Sequence, residues 1–433
     1  MSASIPHSEL ERIVIIGAGF GGITLARKLA QMPYQVVLID KNNYHTFQPL
    51  LYQVATGGLE PDSIAFPLRK LFSGKKNVVI RVAEVLHVDP SLKTLQSTIG
   101  PIEYDHLVIA TGSTNNYFGN EAVAMNAFAL KSVPEALDLR SMILQNFEKA
   151  VRTTDEREQR RLMQFVIVGG GPTGVEIAGA LAELQRHVLP NDYPELDLSQ
   201  MQVHLIEAVD RLLVGMSDKS GEDAKKALEK LGVRIWLNSM VANYDGEVVK
   251  TQDDLEFEAY TVLWAAGVKG NYPSGILAQS IGRGSRILVN QVNQIEGLKD
   301  IYAIGDIALM QTKAYPEGHP QVAPVAMQQA KHLAKNFKRM LKSEELDPFS
   351  YFDKGSMATI GRNKAVADFA QFHLKGWFAW MAWMFVHLMF LMGFRNKLVV
   401  FINWVWSYLT YDKGTRLIIR PFKKKEVQTV VSK

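Results

Sequence analysis

Residues 13–22 read IVIIGAGFGG and residues 165–174 read FVIVGGGPTG. Each stretch opens on an apolar run, Ile13 to Ile16 and Phe165 to Val168, and enters glycines at the spacing G-x-G-x-x-G. In the first loop these are Gly17, Gly19 and Gly22, in the second Gly169, Gly171 and Gly174. A buried strand that turns through such a loop into a helix is a dinucleotide-binding arrangement. The first glycine permits the tight turn, the second lets backbone N–H groups reach a pyrophosphate, and the third lets helix and strand pack closely. The helix N-terminus offers unpaired N–H groups and a partial positive charge to phosphates. A single loop of this kind can be explained as turn residues. Two loops in the same strand–helix context point to two dinucleotide sites.

The surroundings of the loops repeat as well. A helical pattern over Ile23 to Gln31 follows the first loop, and the next apolar run, Val36 to Ile39, ends on Asp40. In the second copy Val203 to Ile206 ends on Glu207. Both acids are expected to accept hydrogen bonds from ribose hydroxyls, and an acid at Glu207 repels a 2′-phosphate, favouring NADH over NADPH. Further on, Leu107 to Ile109 runs into Ala110-Thr111-Gly112, and Val262 to Trp264 into Ala265-Ala266-Gly267. Small residues at these strand ends allow close approach of backbone to a ligand. A later strand signal, IYAIGD from Ile301 to Asp306, returns to the first site. Asp306 is read either as a ligand of a flavin's ribityl or pyrophosphate part or as a helix N-cap. The order predicts an α/β protein of two nested Rossmann-like dinucleotide-binding domains. Residues 1–120 and 291–345 form the first, an FAD domain, and residues 121–290 the second, an NADH domain. Residues 346–433 form a C-terminal membrane-associating or dimerisation region.

Composition narrows the chemistry. The 433 residues are 47% hydrophobic with a net charge of only +4, which gives no basis for nucleic-acid binding. There is no cysteine, so disulfides, thiolate metal sites, cysteine nucleophiles and redox-active dithiols are excluded. The ten histidines show no close ligand pair, and no metal site is proposed. The opening MSASIPHSELER is polar and leads straight into a strand, which is not the pattern of a secretory signal and suggests a cytoplasmic location.

The C-terminal region has its own character. Gly376 to Phe394 holds no formal charge apart from His387, and Leu398 to Tyr411 none. Five of the seven tryptophans lie in these runs: Trp377, Trp380, Trp383, Trp404 and Trp406. Tryptophan at this density suits a bilayer interface. Three arrangements are open for the first run: a membrane span of about 20 residues, an interfacial anchor, or a buried helix in a homodimer. Lys413, Arg416, Arg420 and Lys423 to Lys425 are placed either on anionic lipid or in a solvated tail.

With these motifs the chain resembles the two-dinucleotide-binding-domain flavoproteins, and within them the type II NADH dehydrogenases, non-pumping NADH:quinone oxidoreductases. The resemblance rests on NYHTFQPLLYQVA from Asn43 to Ala55, VGGGPTGVEIAGAL around Glu176, LWAAGV around Trp264, AIGD at Asp306 and VAPVAMQQA from Val322 to Ala330. It implies that Gly17, Ala18, Gly19, Phe20, Gly21, Asp40, Lys41 and Val85 surround the FAD adenosine and phosphates, Val85 through backbone or as a core strand residue. It puts Asp306 and Ala323 near the ribityl chain and ring, with Gly22, Thr111 and Gly112 completing the site. It puts Gly171, Glu207 and Gly267 on the NADH side, joined by Gly169, Gly174 and Ala266. Pro324 stands where many relatives have Gln, so Pro324, Gln328 and Gln329 are the candidate quinone contacts, and Trp383 falls near a position where some relatives carry Lys. Glu176, expected on the first turn of its helix, is the candidate for proton handling between flavin, nicotinamide and quinone. Burial would raise its pKa and the helix N-terminus would lower it; a ribose-binding or helix-capping carboxylate is the alternative. The function expected is hydride transfer from NADH to FAD and electron transfer to a membrane quinone, peripheral to the cytoplasmic face of the membrane. A reductase of a soluble acceptor and a non-catalytic flavin-binding protein are the competing readings.

Overall fold

The computed structural model describes residues 3–370 and 372–423. Two compact units are built from interleaved segments: Met1–Thr46, Ala65–Thr114 and Val268–Lys354 form the first, and Phe47–Ile64, Asn115–Gly267 and Gly355–Lys433 the second. The stretch 47–64, which carries most of the motif beginning at Asn43, thus belongs to the second unit, together with the tail.

The first unit is centred on a five-stranded parallel sheet. Strands β1 (Arg12–Ile16) and β2 (Gln35–Asp40) pair in register from Arg12↔Gln35 to Ile16↔Ile39. Val78–Val82 lies outside β2, and His106–Ile109 followed by Ile301–Ala303 lies on the other side of β1. All four residues Ile13–Ile16 are buried, as are Val36–Ile39, because a parallel sheet covered on both faces leaves no polar side. Helix α1 (Phe20–Leu29) packs against the helix Ala323–Met340. It starts three residues earlier than the periodicity predicts, because Gly21 and Gly22 form its first turn. A Cβ at Gly22 would stand 1.8 Å from the Gly17 carbonyl oxygen, so only glycine lets the helix begin that close to the strand.

The second unit repeats the pattern with four parallel strands. β3 (Gln164–Val168) pairs with β4 (Gln202–Ile206) on one side and with Thr261–Trp264 on the other, and Arg234–Trp236 lies outside β4. Helix α2 (Pro172–His187) follows the second glycine loop. Its outer side meets a three-stranded antiparallel sheet, β5 (Ser356–Gly361), β6 (Lys364–Phe369) and β7 (Phe372–Lys375). Two helices complete the unit, α3 (Gly376–Phe390) and α4 (Phe394–Thr410). Ala379 of α3 packs on Ala365 and Ala367 of β6. From α4, Trp404 Nε1 donates to Gln53 Oε1 at 2.8 Å, Asn403 Nδ2 to Glu60 Oε2 at 2.7 Å, and Asn396 Nδ2 to the Asp62 carbonyl at 3.0 Å. These bonds tie the stretch 47–64 to the tail.

Helix α2 lies against β5 with almost no space between backbones. A Cβ at Gly179 would fall 1.7 Å from the Ile360 carbonyl oxygen. Gly179→Ala should therefore destabilise the protein by about 1–3 kcal/mol from overpacking, outweighing a helix-propensity gain of about 1 kcal/mol. Denaturant unfolding monitored by tryptophan fluorescence measures it; a variant of unchanged or higher stability would show that helix and strand can separate freely.

Candidate active site

The two glycine loops share one geometry. In the first, Gly17 has φ +102°, its N–H donates to the Ile39 carbonyl at 2.7 Å, and a Cβ there would meet the Ala110 carbonyl oxygen at 2.4 Å. In the second, Gly169 has φ +107°, its N–H donates to Ile206 at 2.8 Å, and a Cβ would meet the Ala265 carbonyl carbon at 2.7 Å. Gly19 and Gly171 are the N-caps of α1 and α2; neither helix start has a side-chain cap, and the space a Cβ would occupy at either glycine is open. A helix start without a side-chain cap and with open space before it suits a phosphate-bearing ligand.

The acids closing the second strands brace these loops, which the spacing alone did not reveal. Asp40 accepts from Ala18 N–H at 2.7 Å and from Asn42 N–H at 2.7 Å. Burial raises its pKa, against the pull of those two amides and of Lys41. Glu207 accepts from Gly170 N–H at 2.5 Å and Val209 N–H at 3.2 Å. A carboxylate has about four lone-pair sites, so ribose hydroxyls remain within its capacity.

Around the first loop, Thr111 Oγ1 is buried without a hydrogen-bond partner, and Gly112 has φ +69° with open space above it. Asp306 sits in the short helical turn Gly305–Ile307 rather than at a helix N-cap, and its Oδ2 accepts from the Ser113 hydroxyl at 2.8 Å. An orphaned hydroxyl, an uncapped helix start and a half-buried carboxylate on one unit form a polar set suited to a phosphate- and ribose-bearing cofactor. Val85 is partly buried in a strand against the sheet core. Sequence reading missed Arg286, whose buried guanidinium donates to the carbonyls of Asp306 (3.0 Å), Ala308 (2.5 Å) and His319 (3.1 Å) and so holds the Asp306 turn in shape. Gln329 is fully buried, with Oε1 accepting from Gly305 N–H at 2.7 Å. Gln328 exchanges two hydrogen bonds with the backbone of Phe352, at 2.9 and 3.1 Å. Ala323 and Pro324 open the helix Ala323–Met340, which also lacks a side-chain cap. In the second unit the ring of Phe118 lies over Gly267, 2.9 Å from where a Cβ would be.

Glu176 lies in the second unit, on the second turn of α2 rather than the first, facing a cavity of about 120 Å³. Tyr52, Glu183, Trp383, Trp404 and Lys413 also line it. The Glu176 carboxyl is half-buried and opens on that space, and desolvation by the surrounding protein pushes its pKa up to about 8. Thr359 N–H, 3.5 Å from Oε1, offsets part of the rise, as does the Trp383 indole, which lies close without completing a hydrogen bond. The helix N-terminus does not win, because Glu176 stands beyond the turn where its field is concentrated. Trp383 is 2% exposed and stacks on His387 at 4.0 Å; burial pushes His387 down to about 4, so α3 carries no charge at neutral pH.

The family of pyridine nucleotide-disulphide oxidoreductases matches residues 11–330, and the NDH2 C-terminal domain matches residues 354–411. A type II NADH:quinone oxidoreductase of Mycobacterium tuberculosis is 37% identical, over 93% of this chain and 89% of its own length. The chain belongs to the type II NADH:quinone oxidoreductase family. A member from Staphylococcus saprophyticus is 29% identical over 83% of this chain and 89% of its own length. An NDH2 of Plasmodium falciparum, solved with NADH, superposes with a TM-score of 0.86 at 22% identity, covering 95% of this chain and all of that one. A sulfide:quinone oxidoreductase from Aquifex aeolicus has the same fold (TM-score 0.70, 20% identity, 92% of this chain and 95% of that one). This family member keeps the disulphide-oxidoreductase scaffold without one cysteine.

Among the described residues no helix is long and apolar enough to cross a membrane. The 15 residues of α3 extend only about 22 Å at 1.5 Å per residue. Both helices instead turn large apolar side chains outward: Phe378 is 71% exposed, Phe385 66%, Phe394 82% and Leu409 72%. Lys413 lines the Glu176 cavity, Arg416 pairs with Asp192 at 2.6 Å, and Arg420 pairs with Asp138, so these three cations have work within the chain. Lys424 and Lys425 lie outside the described residues.

A carboxyl with a raised folded pKa binds its proton more tightly folded than unfolded. Folding stability is then fully present below the unfolded carboxylate pKa and falls as pH rises toward about 8. Glu176→Gln should match the parent's melting temperature near pH 5 and exceed it by several degrees at about pH 9. Parallel melting curves across that range would mean that Glu176 is ionised throughout.

Proposed function

We propose that the chain takes hydride from NADH onto FAD and passes two electrons to a quinone held in a membrane, without ion pumping, as an entry point to a respiratory electron-transport chain. FAD, when bound, supplies the hydride-to-electron chemistry. The loop Gly17–Gly22, Asp40 and Lys41, Val85, Thr111, Gly112, Asp306 and Ala323 are the residues that hold it. Gly169, Gly171, Gly174, Glu207, Ala266 and Gly267 hold NADH. The preference for NADH follows from Glu207, whose charge opposes a 2′-phosphate. Pro324, Gln328 and Gln329 remain candidate quinone contacts, the two glutamines acting through the backbone they brace.

The observation that carries the reading is Glu176: a carboxyl with a pKa of about 8, in an aromatic-walled cavity formed partly by the two outward-facing apolar helices. Quinone reduction needs protons as well as electrons, and an acid that is mostly protonated at pH 7 is matched to giving one. The exposed rings of α3 and α4 suit a monotopic anchor at the cytoplasmic membrane surface, where a long-tailed quinone is available. A soluble acceptor would leave that apolar surface without a purpose. Homodimerisation through the same faces is the competing use of it.

Stopped-flow absorbance with NADH and a water-soluble quinone should show Glu176→Gln slowing flavin reoxidation by about 10²-fold while flavin reduction is unchanged. In the parent the reoxidation rate should fall as pH rises past about 8, and the variant should lack that limb. Identical half-reactions in parent and variant would remove Glu176 from the mechanism. Replacing Phe378, Phe385 and Phe394 together by Ser should abolish sedimentation with anionic vesicles and leave oxidation of NADH by the soluble quinone intact; undiminished binding would refute the anchor.

A further inference from the structure

The acid at Glu176 must be reprotonated in every turnover. Reduction of a quinone to a quinol by NADH (NADH + H⁺ + quinone → NAD⁺ + quinol) takes one proton from water, the other arriving with the hydride. Glu176 is half-buried with its carboxyl on the cavity, so that proton needs a route.

The cavity supplies one. Glu176, Ala180, Glu183 and His187 all line it, and their spacing of four, three and four residues puts them on one stripe of α2. Along the axis Glu183 lies about 10 Å and His187 about 16 Å beyond Glu176. Glu176 and Glu183 are half-buried and His187 is exposed. Between them Lys413 reaches in from the segment after α4, its Nζ 3.4 Å from the carbonyl of Ala180, midway along the stripe. Glu183 is fixed by Arg362 N–H donating to Oε1. The guanidinium of Arg362 is clamped between the rings of Tyr408 and Tyr411, 4.1 Å from each, and Tyr411 stacks on His187 at 4.0 Å. A cavity of about 120 Å³ has room for several waters among these polar groups.

We propose that Glu183 and Lys413 form a proton relay that refills Glu176 from the His187 end of the cavity. This assignment, which rests on the quinone-reductase reading, gives each residue a step. Glu176 releases its proton to the quinone oxygen. The Lys413 ammonium, attracted by Glu183 and weakened as an ammonium by burial, passes a proton inward through cavity water. Glu183 collects the replacement from solvent at the His187 mouth and hands it to the Lys413 amine, which restores the ammonium and leaves Glu183 a carboxylate. The other charges at this end are accounted for. From α2, Arg186 adjoins His187 and donates to the Lys230 carbonyl; from the β5–β6 hairpin, Arg362 and Lys364 stand near His187 and Glu183; after α4, Arg416 is neutralised by Asp192 and Asp412. Tyr52, on the inner side, is kept neutral by burial and by Glu176.

The test uses full-length enzyme with its flavin. Glu183→Gln keeps an acceptor for Arg362 N–H, and Lys413→Met keeps the stem. Each should slow flavin reoxidation by a soluble quinone about tenfold, enlarge its solvent deuterium isotope effect, and leave flavin reduction by NADH unchanged. Imidazole in the buffer should restore part of the rate. Groups in series are not additive, so Glu176→Gln with Glu183→Gln should be no slower than Glu176→Gln alone. Parental reoxidation rates and isotope effects, or losses that multiply in the double variant, would overturn the relay. A second readout needs no quinone: infrared spectroscopy of the protonated Glu176 carboxyl after transfer to D₂O. Exchange should be about tenfold slower in both variants, and unchanged exchange also overturns the relay. If the parent reduces no quinone, the functional reading fails, while the exchange measurement still decides the relay. Should Glu183→Gln not fold, Lys413→Met and Glu183→Asp, expected to retain the relay, carry the same comparison.

Discussion

Helix α2 and strand β5 touch backbone to backbone, with Gly179 against the Ile360 carbonyl, and the chemistry of the second unit is laid out along that line. Two acids on the same helix stripe each meet an amide of the strand or its turn: Glu176 faces Thr359 N–H and Glu183 faces Arg362 N–H. With Gly179 between them, helix and strand keep one fixed register. A side chain at that position would lift the helix and loosen both acids at once. Close approach of this kind packs protein against one side of each acid, and the desolvation this brings shifts a carboxyl into the range where it can trade protons at neutral pH.

The same constraint, in a different place, shapes both nucleotide loops. Gly22 and Gly174 let their helices start against the carbonyls of Gly17 and Gly169, at 1.8 and 1.9 Å from where a Cβ would stand. These positions were legible in the sequence because a glycine demanded by contact leaves a fixed spacing between a strand and a helix. The paired acids Asp40 and Glu207 were legible for the same reason, although their bracing of Ala18 and Gly170 was not: spacing shows where a carboxylate ends a strand, not which amide it meets.

The carboxylate chemistry was only half visible. Glu176 stood out by its motif, but the sign of its pKa shift depended on Trp383, Tyr52 and Trp404 closing around it from segments far away in sequence. Glu183 and His187 carried no motif that singled them out, and Lys413 was read with a basic group placed on lipid or in a solvated tail. Arg286, which holds the Asp306 turn, carried no motif at all; a lone arginine in a short strand gives no sign that three carbonyls await it. In the tail, density of tryptophan announced an unusual region, while the helix ends, which leave neither helix long and apolar enough to cross a membrane, were not legible in the apolar runs.

The hydrogen bonds from Trp404 to Gln53 and from Asn403 to Glu60 also have a bearing on biosynthesis. Residues 47–64 leave the ribosome long before α4 (Phe394–Thr410), the helix that hydrogen-bonds to them. At roughly 5–20 residues per second, the early segment waits on the order of tens of seconds before Gln53 and Glu60 can meet their partners on α4. A ribosome that stalls before α4 is made therefore leaves Gln53, Glu60 and the Asp62 carbonyl without these three donors, whatever the rest of the unit has already built.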